Sequence, residues 1–125
     1  MASPQSVFLH QAQHNEDLID HLSGTVYTDW ISTAAFYAAL QYLDSYLIQK
    51  RPPEKHTSHG AREEAIQLDK RISGIYSDYR SLKDLSQRAR YDGKKPSPNE
   101  IKNDILPSLG AIKKHLRQFV PQITT

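Results

Sequence analysis

The sequence predicts an all-α fold, an antiparallel bundle of four to five helices joined by short loops. Two observations carry the class. Apolar residues recur at steps of three and four along most of the chain, and no alternating apolar run of useful length occurs. A third is punctuation: Ser3-Pro4, Ser23-Gly24, Pro52-Pro53, Asp92-Gly93 and Ser97-Pro98 divide the chain into segments of helical length.

The first helix is expected from about Pro4 to His21. Ser3 can cap it, and proline suits the first helical position because its missing N–H would have no partner there. Phe8, Ala12, Asn15, Ile19 and Leu22 make one inward stripe. The second helix is expected from about Thr28 to Gln49, capped by Thr28 or Asp29. It carries two stripes, Trp30, Ala34, Tyr37, Gln41 and Phe36, Leu40, Leu43, Leu47, so it should be central. Ala34, Ala35, Ala38 and Ala39 let another backbone come close, and Arg51-Pro52-Pro53 stops the helix.

After a polar loop, Ser58 should cap a third helix running to about Ile75, with Ala61, Ala65, Leu68, Ile72 and Ile75 inward and a break near Gly74 and Ser77. A fourth helix carries Tyr79, Leu82, Leu85 and Ala89 and ends at Asp92-Gly93. The last start signal is the clearest. Ser97-Pro98-Asn99-Glu100 reads as a capping box, in which serine and glutamate each satisfy the other's backbone amide. Ile101, Ile105, Leu109, Ile112, Leu116 and Phe119 follow as a stripe, with Pro107 inside it as an expected kink.

A chain of 125 residues, 38% apolar and 24% charged, reads as one domain over 1–125 able to bury about two-thirds of its unfolded surface. It has no cysteine, which excludes disulfides, thiolate metal sites and cysteine nucleophiles. No signal-like start and no apolar stretch of membrane length occur, so a cytoplasmic protein with no membrane contact is expected. Net charge is only +2. It is unevenly spread: from Arg80 to Lys95, six basic residues (Arg80, Lys83, Arg88, Arg90, Lys94, Lys95) face only Asp84 and Asp92.

Several local patterns coincide. Asp29-Trp30 precedes Ala35-Phe36-Tyr37-Ala38-Ala39-Leu40. Ser58-His59-x-x-Arg62 opens the third helix, and Tyr79-x-x-Leu82-x-x-Leu85-Ser86-x-x-Ala89-Arg90-Tyr91 forms the fourth. In this order they resemble small prokaryotic proteins of the HEPN superfamily. The resemblance implies a HEPN-like bundle of four or five helices that often dimerises. Many such proteins are metal-independent ribonucleases; others bind RNA or nucleotides without cleaving, or accompany a nucleotidyltransferase partner. The nuclease members carry an arginine, then four to six residues, then a histidine. Here the match is Arg51-x4-His56, in the Pro-Pro loop and not on a helix.

Three constellations carry chemistry. Arg88, Arg90, Tyr91, Lys94 and Lys95 combine phosphate-binding cations with a stacking ring, although cations at a helix C-terminus also serve the helix dipole. His59 and Arg62, one turn apart near a helix start, could hold a phosphate together with Arg90; equally, Arg62 could pair with a carboxylate such as Glu63 or Asp69 while His59 assists the cap. His10, His14, Asp17 and His21 share one face of the first helix, a spacing that suits zinc or nickel but equally a solvated face. Tyr27, Trp30, Tyr37, Tyr42 and Tyr46 could line a pocket, but packing in the core or a dimer contact is the stronger expectation.

The expected function is therefore a non-catalytic binding module for RNA, a nucleotide or a protein partner, acting as a homodimer and using no cofactor and no metal. The alternatives are a ribonuclease built on His59, Arg62 or Arg90 and, more distantly, a metal-binding bundle using the first-helix histidines.

Overall fold

A computed structural model describes residues 3–124. They form α1 (Pro4–Leu22), α2 (Thr28–Leu47), α3 (His59–Leu68) and α4 (Tyr76–Tyr91), with a 3-10 turn at Ser73–Ile75 leading into α4. Then α5 (Pro98–Glu100), a π turn (Ile101–Ile105) and α6 (Leu106–Leu116) follow one another without leaving helical backbone. No strand occurs among the described residues, and no described helix is long and apolar enough to cross a membrane.

The Ser3 hydroxyl accepts from the Ser6 amide, and Pro4 opens α1 as expected. Its buried residues are Leu9, Ala12 and Ile19; Phe8 is only half-buried, and Leu9 takes the core position. Gly24, at φ +79°, makes the turn that follows, a conformation open to glycine because it has no Cβ.

Fifteen of the 20 residues of α2 are buried. It packs against α1, α4, α6 and the π turn, and Ala35, Ala38 and Ala39 are wholly enclosed. Neither Thr28 nor Asp29 caps it. Tyr27 holds the cap position without a side-chain bond, and the entry turn is organised by Thr25, whose hydroxyl accepts from the Tyr27 amide and donates to the Leu22 carbonyl. Its Phe36, Leu40, Leu43, Leu47 stripe is buried, whereas the other is only partly so, with Ala34 enclosed and Tyr37 and Gln41 half-buried. Trp30 departs from its stripe and stands 56% exposed.

The third helix is shorter than its apolar pattern suggests. Ser58 caps it, accepting from Ala61, but it ends at Leu68 rather than Ile75. Asp69 is extended, at φ −97° and ψ 106°. Its carboxylate accepts from the Arg71 amide at 2.9 Å and the Tyr46 hydroxyl at 2.7 Å, and lies 3.1 Å from the Lys50 ammonium. These partners hold the chain out of the helix. Leu68 is consequently exposed, while Ile66, Ile72 and Ile75 enter the core.

The Ser97–Glu100 capping box is formed in both directions, at 3.0 and 3.1 Å. The expected kink at Pro107 takes the form of the π turn: the Leu106 amide reaches back to the Ile101 carbonyl, five residues away. Ile105, Leu109, Ile112 and Leu116 are buried beyond it.

Candidate nucleic-acid interface

The packing of α2 on α4 determines where the chemistry-bearing side chains meet. Asp44 lies on the inner stripe of α2 between Leu40, Leu43 and Leu47 and is buried. A buried charge needs a partner, and α3 supplies Arg62. Its Nε and Nη2 donate to the two Asp44 carboxylate oxygens at 3.1 Å each. Burial pushes the Asp44 carboxyl above its ordinary value, and the Arg62 fork pulls against that shift. The pair therefore joins α3 to α2. Arg62 is itself buried and spends the forked edge of its guanidinium on Asp44, while Arg90 turns to Tyr37 and Ser86. Of the expected anion site, His59 feels the charges of both Arg62 and Arg90, and each arginine also has a partner within the protein.

His59 lies over the Phe36 ring, with centroids 5.4 Å apart, and Phe36 also meets Tyr79 edge-on at 5.6 Å. His59 Nδ1 and the Tyr79 hydroxyl are both buried without a hydrogen-bond partner. Burial, then the charges of Arg62, Lys83 and Arg90, hold the His59 imidazole below its usual pKa, against the opposing pull of Glu63. The neutral ring is favoured there. Nearby, Glu63 accepts from Lys83 at 2.9 Å and lies 3.3 Å from Arg80 Nε. Arg80 and Lys83, counted within the basic run, thus spend their charge on α3.

The cations left in that run stand outside these ion pairs. Arg90 Nη1 donates to the Tyr37 hydroxyl at 2.9 Å and Nε to the Ser86 carbonyl at 3.3 Å. Its guanidinium lies 5.4 Å from the Tyr37 ring centre and 5.2 Å from that of Tyr91. Arg90 is thus fixed as a planar cation beneath Tyr91, which is 76% exposed. Arg88, Lys94 and Lys95 are exposed, and among the described residues none of them joins an ion pair. Gly93, at φ +66°, turns the chain so that the Lys94 amide returns to the Arg88 carbonyl at 3.0 Å. That bond folds both lysines back toward the end of α4.

Trp30 completes this surface. Together with Asp29, Thr33, Ala89 and Arg90 it lines a recess between the start of α2 and the end of α4. Sequence periodicity assigned Trp30 to packing; its place in the first turn of α2, ahead of the buried stretch, was the signal against that. Tyr27 is likewise exposed, whereas Tyr42 and Tyr46 are core residues. Their hydroxyls bond Glu16 and Asp69, and burial with those carboxylates raises both phenols, Tyr46 to about 12.

The remaining sequence candidates lie apart. Arg51 is exposed in the loop, and His56 Nε2 sits 3.2 Å from Glu54 Oε1 in the same loop, away from any helix. His10, His14, Asp17 and His21 are all exposed along α1, and no group of three or more such side chains placed to hold a metal ion occurs among the described residues. Comparison of the chain with protein-family models, with curated proteins and with solved structures finds no match.

Proposed function

We propose that this chain is a HEPN-like helical-bundle module that binds single-stranded RNA without cleaving it, through the end of α4 and the turn that follows. The observation that carries the reading is the cation–π contact of Arg90 with both Tyr37 and Tyr91, with Arg88, Lys94 and Lys95 exposed and outside the ion-pair network beside it. Cations supply attraction to phosphates, and an exposed ring stiffened by a stacked guanidinium gives a base a surface to lie on. The helix-dipole role of these cations accounts for one or two of them; it does not account for an exposed tyrosine held over an arginine. Titration of an unstructured RNA at two salt concentrations, with wild type and Arg88→Ala/Arg90→Ala, tests the reading. Equal affinities, or indifference to salt, would refute it.

A ribonuclease reading keeps one specific support, a neutral His59 beside cationic side chains, which suits a general base. Arg62, buried against Asp44, is not free to serve it. Metal-independent cleavage abolished by His59→Ala would favour this second reading. The homodimer belongs to the proposal as well. Its support is an apolar groove lined by Ile19, Ile31, Ile101 and Leu106, next to exposed Val26 and Tyr27, a surface that association would cover.

A further inference from the structure

The recess beside Trp30 has a composition that a general phosphate-binding surface does not need. It measures about 160 Å³ and is lined by Asp29, Trp30, Thr33, Ala89 and Arg90. Asp29 Oδ1 is buried there and accepts no hydrogen bond. The one hydroxyl in the lining cannot satisfy it, because Thr33 donates to the Asp29 backbone carbonyl at 2.9 Å. Arg90 donates to Tyr37 and Ser86 and makes no bond to Oδ1. A buried acceptor without a donor is costly to the fold, and it is a carboxylate in the middle of a surface otherwise suited to polyanions. An occupant that brings N–H donors would meet the carboxylate once a turn of the side chain opens Oδ1 to the recess.

The other walls narrow the chemistry. Trp30 presents an exposed indole, which takes a flat ring face to face. The occupant is then planar, aromatic and rich in N–H groups along one edge. Among nucleobases, guanine offers two adjacent donors, N1–H and the 2-amino group, which can meet one carboxylate with parallel bonds. Adenine and cytosine offer one amino group each next to a ring acceptor. Uracil offers one N–H between two carbonyls, and those carbonyls would face the carboxylate with like partial charge. We infer that this recess is a guanine-reading subsite, with Trp30 as the stacking platform and Asp29 as the acceptor of the Watson–Crick edge. The inference rests on the RNA-binding reading and adds to it a base preference at one position.

The protein's single tryptophan is Trp30, so intrinsic fluorescence reports the recess directly. The probes are seven-residue oligouridylates carrying guanine, adenine, cytosine, uracil or hypoxanthine at the central position. Wild type should bind the guanine oligomer about tenfold more tightly than all-uridine, in line with the discrimination a good bidentate pair gives, and only this oligomer should strongly quench Trp30. Hypoxanthine lacks the 2-amino group and should fall between the two, a comparison that needs no variant. Asp29→Asn should abolish the difference between the guanine and all-uridine oligomers, read as a ratio of affinities within the variant. Equal affinity of wild type for all five oligomers, or full guanine preference in Asp29→Asn, would overturn the subsite and leave RNA binding standing. Absence of binding to every oligomer would overturn both.

Discussion

Deleting either member of the Asp44–Arg62 pair should destabilise the fold strongly, and deleting both should not. The carboxylate and guanidinium side chains are only 9% and 11% exposed, and both hydrogen bonds are 3.1 Å long. Removing one partner strands a charge inside the protein, which costs about 3–5 kcal/mol. Against a total stability of about 5–15 kcal/mol for such a domain, that is a large share, and it would lower the melting temperature by roughly 10–20 °C. Replacing both with apolar groups of similar volume, Asp44→Leu with Arg62→Met, removes the stranded charge and should bring stability to within ~2 kcal/mol of wild type. Urea denaturation of the four proteins at pH 7 closes the cycle, with the midpoint read at a constant slope. Single losses under ~1 kcal/mol, or a double mutant whose loss equals the sum of the singles, would refute the claim that the two charges neutralise one another in the interior. The same variants separate structure from function: Arg62→Met should lose stability but keep its affinity for RNA.

Four unpaired or outward cations on the α4 end should give RNA binding a log–log salt slope of about −3, taking ~0.7 per phosphate on a single strand; Arg88→Ala/Arg90→Ala should shorten that slope, as read by anisotropy across a salt series. Stability should also depend on His59. Its pKa is lowered in the folded protein, so the unfolded chain binds the proton first; stability is full above the unfolded value of about 6.5 and declines as pH falls through the folded one. His59→Gln should flatten this part of the stability–pH curve, and an unchanged curve would count against the buried, cation-flanked ring. Sedimentation at micromolar concentration should find a dimer, shifted toward monomer by Leu106→Asp on the rim of the apolar groove; a single species at the 14.3 kDa chain mass for wild type would exclude it.

What the sequence made legible was mostly local. Ser3, Ser58 and the Ser97–Glu100 box are short-range signals whose bonds span three residues, and the helices they open begin where expected. The end of α3 was not legible, because Asp69 leaves the helix for Tyr46, 23 residues back on α2, and for Lys50 just beyond it. The Asp44–Arg62 pair was half legible. An acid amid Leu40, Leu43 and Leu47 announces a buried charge, but several arginines could have answered it. The candidate surface shows the same division. Arg88, Arg90, Tyr91, Lys94 and Lys95 stood together in the sequence, whereas Trp30 and Asp29 join them only because α2 packs on α4.

The spacing of the last apolar stripe holds a further signal and a sharper test. Ile101, Ile105 and Leu109 are separated by two successive steps of four, which in a regular α-helix carry the stripe ~80° around the axis. The π turn absorbs that drift by widening one turn, so the segment behaves as an α-helix with one residue inserted. Lys102, Asn103 and Asp104 are its exposed residues. Deleting Asn103 would leave steps of three, four, three and four from Ile101 to Leu116, which is the spacing of a plain α-helix. Pro107 opposes the change. In the regular helix its ring would press on the carbonyl four residues back and leave that carbonyl without a donor, at about 3 kcal/mol. The two causes therefore separate in a cycle. Deletion of Asn103 alone should cost about 3 kcal/mol, and deletion combined with Pro107→Ala should recover most of it. Deletion of exposed Gly110, in the regular part of α6, should be far worse in either background, because it turns Ile112 and Leu116 out of the core. If losing Asn103 proves as damaging as losing Gly110 even in the Pro107→Ala background, the π turn is not an inserted residue, and the burial of Ile105 depends on the wide turn itself.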